Sequence, residues 1–460
     1  MINLETIFKC KEVISEKVKG QDKLRVSTDT RSYKQEELFI CLYGENFNSA
    51  DLIEEILENG PKHVVVEKEK ISSERIEELS SKFNTHFILV ENVFNFLLEL
   101  GKAKAEDFKN NGGLILGLTG SNGKTTNKEM IAHLLGTLGR RHVFSTKGNL
   151  NNQIGVPLSL MELTEEHQVA VIEMGTSLPG EIEILSKVVD PNFGYITNIG
   201  YAHIEKLKTL KGVFEEKSAL FRVVEASTNN PKGFVINATD DHLKKIADYE
   251  WTVRVDKENF SLTENGFSLI YEGQSYDVQN KSLLGDHQKL NMICCLRLVL
   301  LAYPKKLSEF IELASNFRPP KMNRGEVVDL PNTLVYLDAY NANPSSMKAS
   351  LNSYINWLEE NAINIADVMI ILGDMNELGE NSESLHKDVG KHLSQLGFKR
   401  AVFIGQSAAH YLSGFSGGDI FESATKFKES ELSGFPNTKS VFIKASRSLQ
   451  LESILDISKP

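Results

Sequence analysis

One short run, Gly120-Ser121-Asn122-Gly123-Lys124-Thr125-Thr126, constrains this chain more than any other. It follows the apolar stretch Leu114-Ile115-Leu116-Gly117-Leu118 and opens a helical pattern over 125–138. A buried strand, a glycine turn and a helix start, in that order, call for an α/β layer with the turn at the strand's carboxyl end. The same arrangement suits an anion. Glycines let the backbone approach phosphate oxygens, and the free amides and dipole of the helix end hold the negative charge. Lys124 can reach terminal phosphates, and the Thr125 hydroxyl can bind Mg2+. Leu118 stands where the first glycine of the usual Walker pattern belongs, so the shorter G-x-x-G-K-T-T form remains. An ordinary glycine turn before a helix is the plain alternative. The strand before and the helix after favour a phosphate site.

A chain of 460 residues is too long for one core and is expected to form about three domains. Breaks at the polar stretch 107–113 and at Arg318-Pro319-Pro320 divide it into 1–111, 112–317 and 318–460. With 41% hydrophobic and 25% charged residues, the composition is that of an ordinary globular protein. The net charge of −11 argues against nonspecific nucleic-acid binding. Residues 1–20 are charged and lack a signal-peptide core, and no apolar run is long enough to cross a bilayer. Cys10, Cys41, Cys294 and Cys295 form no C-x-x-C pair and read as buried or idle thiols in a reducing cytoplasm.

The first segment alternates short strands (64–66, 87–90) with helices (50–58, 73–82). In the second, strands at 169–172, 193–196 and 234–236 alternate with helices such as 179–189, which predicts a mostly parallel sheet covered on both faces. Residues 250–280 break that rhythm and read as an antiparallel edge, and 290–303 as a buried helix. The third segment has strands at 334–337, 368–372, 401–404 and 441–443, with helices between, and reads as a small doubly wound domain.

Ligands bind where such strands end, and polar side chains collect there. Glu173 closes one strand and is placed to hold Mg2+ beside a nucleotide, or else to cap the helix at 179–189. His203 follows the strand that runs into Thr197-Asn198-Ile199-Gly200. Lys217, taken from the residues alone, reads as a solvated helix lysine paired with Glu215 or Glu216. Asp338-Ala339-Tyr340-Asn341-Ala342-Asn343-Pro344 is too polar for a plain turn after a buried strand. There Asp338 can accept from ribose hydroxyls, while Asn343 and Pro344 can also start a helix as N-cap and N1. Gly373-Asp374-Met375-Asn376-Glu377-Leu378-Gly379 ends another strand, and Lys444-Ala445-Ser446-Arg447 a further one, the latter able to hold an anion.

In this order the motifs resemble the Mur ligases, ATP-dependent amide-forming enzymes of peptidoglycan precursor synthesis. The likeness to the D-alanyl-D-alanine-adding type rests on 338–344, on 373–379 with His386 downstream, and on Asn151-Asn152-Gln153-Ile154-Gly155-Val156-Pro157. Asp29-Thr30-Arg31, then Glu37-Leu38-Phe39 and Gly44-Glu45-Asn46-Phe47, look like that type's UDP-substrate domain. The resemblance implies a UDP-substrate domain over 1–111, a P-loop ATPase domain over 112–317 and a Rossmann-like ligase domain over 318–460. It implies that Lys124 and the amides of Gly120, Ser121, Asn122, Gly123, Thr125 and Thr126 hold ATP phosphates. Thr125 and Glu173 would hold one Mg2+, His203 a second, and Lys217 would carry a metal-associated carbamate. Asn291 would approach adenine, Arg324 the phosphates and Asp338 the ribose. Asp29, Thr30, Arg31, Asn46, Asn151, Asn152, Tyr340, Asn341, Asn343, Ser446 and Arg447 would line the UDP-linked tripeptide and D-alanyl-D-alanine sites. A monomer acting in the cytoplasm, with no nucleic-acid or membrane partner, is expected. Two alternatives differ in outcome: another amide ligase of the superfamily, such as a folylpolyglutamate synthase or a single-amino-acid-adding Mur ligase, and a P-loop ATPase that ligates nothing.

Overall fold

The computed structural model describes residues 2–14, 23–31, 38–44, 47–320 and 323–455. Three wholly or mostly parallel sheets follow one another along the chain, their central strands built from short β-branched and aromatic runs buried on both faces. The first has four strands in the order Val26–Ser27, Leu38–Ile40, His63–Glu67 and His86–Val90. Its core gathers Ile40, Val65, Ile88, Phe96 and Leu97.

The central sheet has six strands, all parallel. Their order is Val143–Ser145, Val169–Glu173, Leu114–Thr119, Phe193–Ile196, Gly233–Asn237 and Thr252–Val255. Leu114–Thr119 therefore lies between the strand that ends at Glu173 and the one that leads to His203. Those neighbours end side by side, with Glu173 opposite Leu118 and Ile196 opposite Thr119. Asp286–Ala302 packs across this sheet through Met292, Cys295, Leu296 and Val299, all fully buried. The third sheet has six strands in the order Glu326–Leu330, Thr333–Leu337, Ser440–Lys444, Val368–Gly373, Ala401–Ile404 and Asp419–Phe421. Only its first pair is antiparallel.

Two expectations are corrected. The stretch 107–113 is not an extended linker, because the helix Val93–Asn110 runs through most of it. Phe108 is buried in the core of the central unit, so the polar residues around it are the outer face of a helix. Residues 250–280 do not form an antiparallel edge of the main sheet. Thr252–Val255 joins the sheet in parallel, and 260–279 folds into a separate three-stranded antiparallel sheet.

The candidate nucleotide and metal site

The glycine turn takes its shape from backbone strain that only glycine tolerates. Gly120 has φ +154°, and a Cβ there would stand 1.8 Å from Thr197 Oγ1. Gly123, at φ +75°, precedes the helix Lys124–Leu134. The next strand end holds the loop in place. Ser121 N–H donates to Asn198 O (3.0 Å), Asn122 N–H to Asn198 Oδ1 (3.0 Å), and Thr197 Oγ1 to Asn122 O (2.6 Å). Asn291 Nδ2 lies 3.3 Å from where a Gly123 Cβ would be, so the long buried helix reaches the loop with this side chain.

Around the loop are groups that the chain itself leaves unsatisfied. Glu173 is 1% exposed. Its Oε1 accepts from Asn151 Nδ2 (2.7 Å) and Thr125 Oγ1 (3.3 Å), while Oε2 has no partner among the described residues. It does not cap the helix Glu181–Val189. Glu181 and Glu216 do that, accepting from the amides of Ser177, Leu178, Gly180 and Ile182.

That engagement of Glu216 decides the environment of Lys217. The expected ion pair with Glu215 or Glu216 is absent, since Glu215 faces Lys211 and Glu216 faces the loop amides. Lys217 is fully buried, and its Nζ has no hydrogen-bond partner among the described residues. Burial, reinforced by the Lys124 charge, pushes its pKa well below that of an ordinary lysine. The Lys124 pKa is also lowered, chiefly by burial, with Arg324 adding to the shift and the carboxylates of Glu173 and Glu377 opposing it. Lys124 Nζ meanwhile donates to Gly120 O (2.9 Å). The fields of Lys124, Glu173, Lys217, Arg324 and Glu377 thus overlap around one loop.

The third sheet supplies the other wall. Asn343 caps the helix Pro344–Glu360 through Ser346, and its Nδ2 donates to Asn122 Oδ1 (2.6 Å). Asn122 Nδ2 reaches Ser345 Oγ (3.3 Å). His203 has φ +53° and starts the short helix Ile204–Leu207; its Nδ1 lies 2.5 Å from Glu377 Oε2. Arg324 lies over the Tyr340 ring, with Cζ 3.9 Å from the centroid, and its Nε is buried without a partner among the described residues. Asp338 Oδ2 accepts from Lys444 Nζ (2.5 Å) and Ser350 Oγ (2.7 Å), so only Oδ1 is left to meet a ligand. Asn341 lends its carbonyl to the same Lys444 (3.0 Å). Ser446 is buried and accepts from Asn376 N–H (2.9 Å).

Profiles of two families match, the Mur ligase middle domain over residues 118–299 and the Mur ligase glutamate ligase domain over 323–445. The UDP-N-acetylmuramoyl-tripeptide–D-alanyl-D-alanine ligase of Bacillus subtilis (strain 168) is 30% identical, covering 94% of this chain and 92% of its own length. The chain belongs to the Mur ligase family. Among solved structures, MurF from Acinetobacter baumannii superposes with a TM-score of 0.83 at 25% identity, over 99% of this chain and 98% of that one. MurF ligase from Thermotoga maritima, in complex with ADP, gives 0.77 at 25% identity, over 94% and 96%.

The remaining residues expected at the site of this Mur ligase are engaged with partners of their own or stand beside those already described. Asp29 and Arg31 pair with each other on the exposed first unit, at 2.9 Å through both guanidinium nitrogens, and Thr30 lies between them. Arg31 holds the Asp29 carboxyl down at about 2. Asn46 lies outside the described residues. Arg447 pairs with Glu452. Asn152 Oδ1 accepts from Gly155 N–H (2.8 Å) at the start of Gly155–Met161, and Thr126 follows Thr125 in the first turn of Lys124–Leu134. His386 is buried and holds the 373–379 loop, accepting from Met375 N–H at 3.1 Å. The reading from sequence assigned no role to Glu377, Ser345 or Lys444, although 373–379 and 444–447 had marked two of them.

Proposed function

We infer that this protein is the ATP-dependent ligase that joins D-alanyl-D-alanine to UDP-N-acetylmuramoyl-tripeptide, giving UDP-MurNAc-pentapeptide, ADP and phosphate in peptidoglycan precursor synthesis. The observation that supports this reading is the glycine loop with Thr125 on the buried Glu173 carboxylate and Asn122 on Asn343 of the third sheet, in a chain aligned nearly end to end with ligases of that name.

A carboxylate does not condense with an amine in water, because its leaving group is too poor. Transfer of the γ-phosphoryl group to the tripeptide's terminal carboxylate releases ADP and makes an acyl phosphate. The dipeptide amine then attacks the carbonyl carbon, and the tetrahedral intermediate expels phosphate. Such transfer needs alignment and charge neutralisation more than covalent help. Lys124 and the amides of Gly123, Lys124, Thr125 and Thr126 would hold the phosphates, whereas the expected amides of Ser121 and Asn122 are already given to Asn198. Arg324, braced on Tyr340, would add positive charge from the other wall. Asn291 would approach adenine, and Asp338 would accept from the ribose.

The donors left open fit Mg2+, which prefers oxygen ligands. Thr125, Glu173 with its unpartnered Oε2, His203 and a carbamate on Lys217 would hold two ions. When bound, these supply charge neutralisation at the transferring phosphoryl group. The Lys217 amine, without a partner among the described residues and with its pKa pushed well down by burial, supports the carbamate: Nζ would bond to the carbon of CO2 and shed a proton. Residues 1–111, with Asp29, Thr30, Arg31 and Asn46, would grip the UDP portion and 112–317 the ATP. Residues 318–460, with Tyr340, Asn341, Asn343, Ser446 and Arg447, would take the dipeptide, and Asn151 and Asn152 the tripeptide side. We place the enzyme in the cytoplasm as a monomer with no membrane or nucleic-acid partner. Among the described residues no helix is long and apolar enough to cross a membrane.

An acceptor screen tests the reading. Purified protein with ATP, Mg2+ and UDP-MurNAc-tripeptide is offered D-alanyl-D-alanine, single D- or L-amino acids, or L-glutamate. Only the dipeptide should give a new UDP-linked mass. A single-residue product instead, or glutamylation of a folate offered in a parallel assay, would assign the chain to another ligase of the superfamily.

A further inference from the structure

Glu377 and His203 meet across the boundary between the central and third units, and both adopt a left-handed backbone, at φ +61° and +53°. For an L residue that conformation is strained. A glycine would turn either loop without that cost, and Gly379 does so nearby at φ +54°. Its missing side chain leaves room for Glu205, whose Cγ would lie 3.0 Å from a Cβ there. The Glu205 N–H donates to Glu377 O (3.0 Å), which fixes the glutamate backbone against the helix that His203 begins. The carboxylate itself comes to 2.5 Å of Nδ1. The two groups lie within hydrogen-bonding reach, though no hydrogen bond forms between them in the present orientation, and a small turn of either side chain would align Nδ1–H on Oε2.

An imidazole that binds a metal through one nitrogen generally gives its other N–H to a carboxylate, which sets the tautomer and the ring orientation. We propose that Glu377 is the positioning residue for His203: it holds the proton on Nδ1 and leaves Nε2 as the bare, metal-ready nitrogen. The inference rests on the reading of His203 as a Mg2+ ligand. It adds that this ligand is oriented by the third unit. The metal site is therefore complete only when that unit is docked, and acceptor-side placement and metal retention become one event.

Two measurements test this on the full chain. Long-range proton–nitrogen spectra of 15N-histidine protein, with His203 assigned through His203→Ala, report the tautomer. Wild type should carry the proton on Nδ1. Glu377→Ala should move it to Nε2, and Glu377→Gln, which keeps an acceptor at the same reach, should leave it on Nδ1. Mn2+ titration by electron paramagnetic resonance, with a non-hydrolysable ATP analogue bound, reports affinity. Glu377→Ala should weaken Mn2+ binding by about 10- to 100-fold, with Glu377→Gln between it and wild type. A wild-type proton on Nε2 overturns the proposal. So does unchanged Mn2+ affinity in Glu377→Ala where His203→Ala weakens it, a result that leaves the ligand reading standing. Unchanged affinity in both variants removes His203 as a ligand, and the proposal falls with it.

Discussion

A single lysine shows most sharply how environment overrides residue type here. Lys217 has two glutamates before it in sequence, yet the nearer one is used by the amides of Gly180 and Ile182, and Nζ is buried without a partner among the described residues. If it works as a carbamate, Lys217→Ala should be nearly inactive in ligation, and a small carboxylic acid in the assay should restore part of the rate by filling the vacated anion position. Lys217→Arg should be inactive and refractory to rescue, because its fixed positive charge occupies that space. Wild-type turnover in Lys217→Arg would contradict the carbamate. The same burial has a stability signature. The Lys217 pKa is depressed in the fold, so the unfolded chain binds the extra proton and stability rises with pH up to the ordinary lysine pKa of about 10.4. In CO2-free buffer, Lys217→Met should therefore melt higher than wild type at neutral pH, with the gap closing as pH approaches that value. A gap independent of pH would show that Lys217 is solvated.

At the scale of elements, the glycine turn is the part most dependent on shape. Lys124→Ala should abolish ligation and leave UDP-substrate binding by calorimetry nearly intact, because Asp29 and Arg31 stand on a different sheet from the loop. Ligation near the wild-type rate would remove the loop from the chemistry. Most of these elements were legible as pattern. The strands at 114–118, 169–172, 334–337 and 368–372 are apolar runs that can only be buried, and each ends in a polar cluster. What pattern could not show was partnership. Phe108 turns 107–110 into helix by packing on a core far away in sequence. Asp338 reads as a free acceptor in sequence, but Lys444, 106 residues on, takes one of its oxygens. Thr125, Glu173 and Asn151, which meet at Glu173 Oε1, were all visible as strand-end or loop polar groups, whereas Glu377 was visible only as part of a motif.

The whole molecule places its three sheets so that the loops of two of them share one wall. Ile204, Leu207 and Val213 of the central unit enter the same apolar cluster as Met347, Met375 and Leu378 of the third. Asn122 and Asn343 clasp across the same boundary at 2.6 Å. Closing that wall over the nucleotide would exclude water, and an acyl phosphate survives only where water is kept out. The central claim is that ATP is spent on coupling this pair of substrates. Phosphate release, measured with UDP-MurNAc-tripeptide and D-alanyl-D-alanine together, separately and absent, tests it most directly. The account predicts sustained release only with both present and no more than slow release with the tripeptide alone. Release at the same rate without either substrate would contradict it.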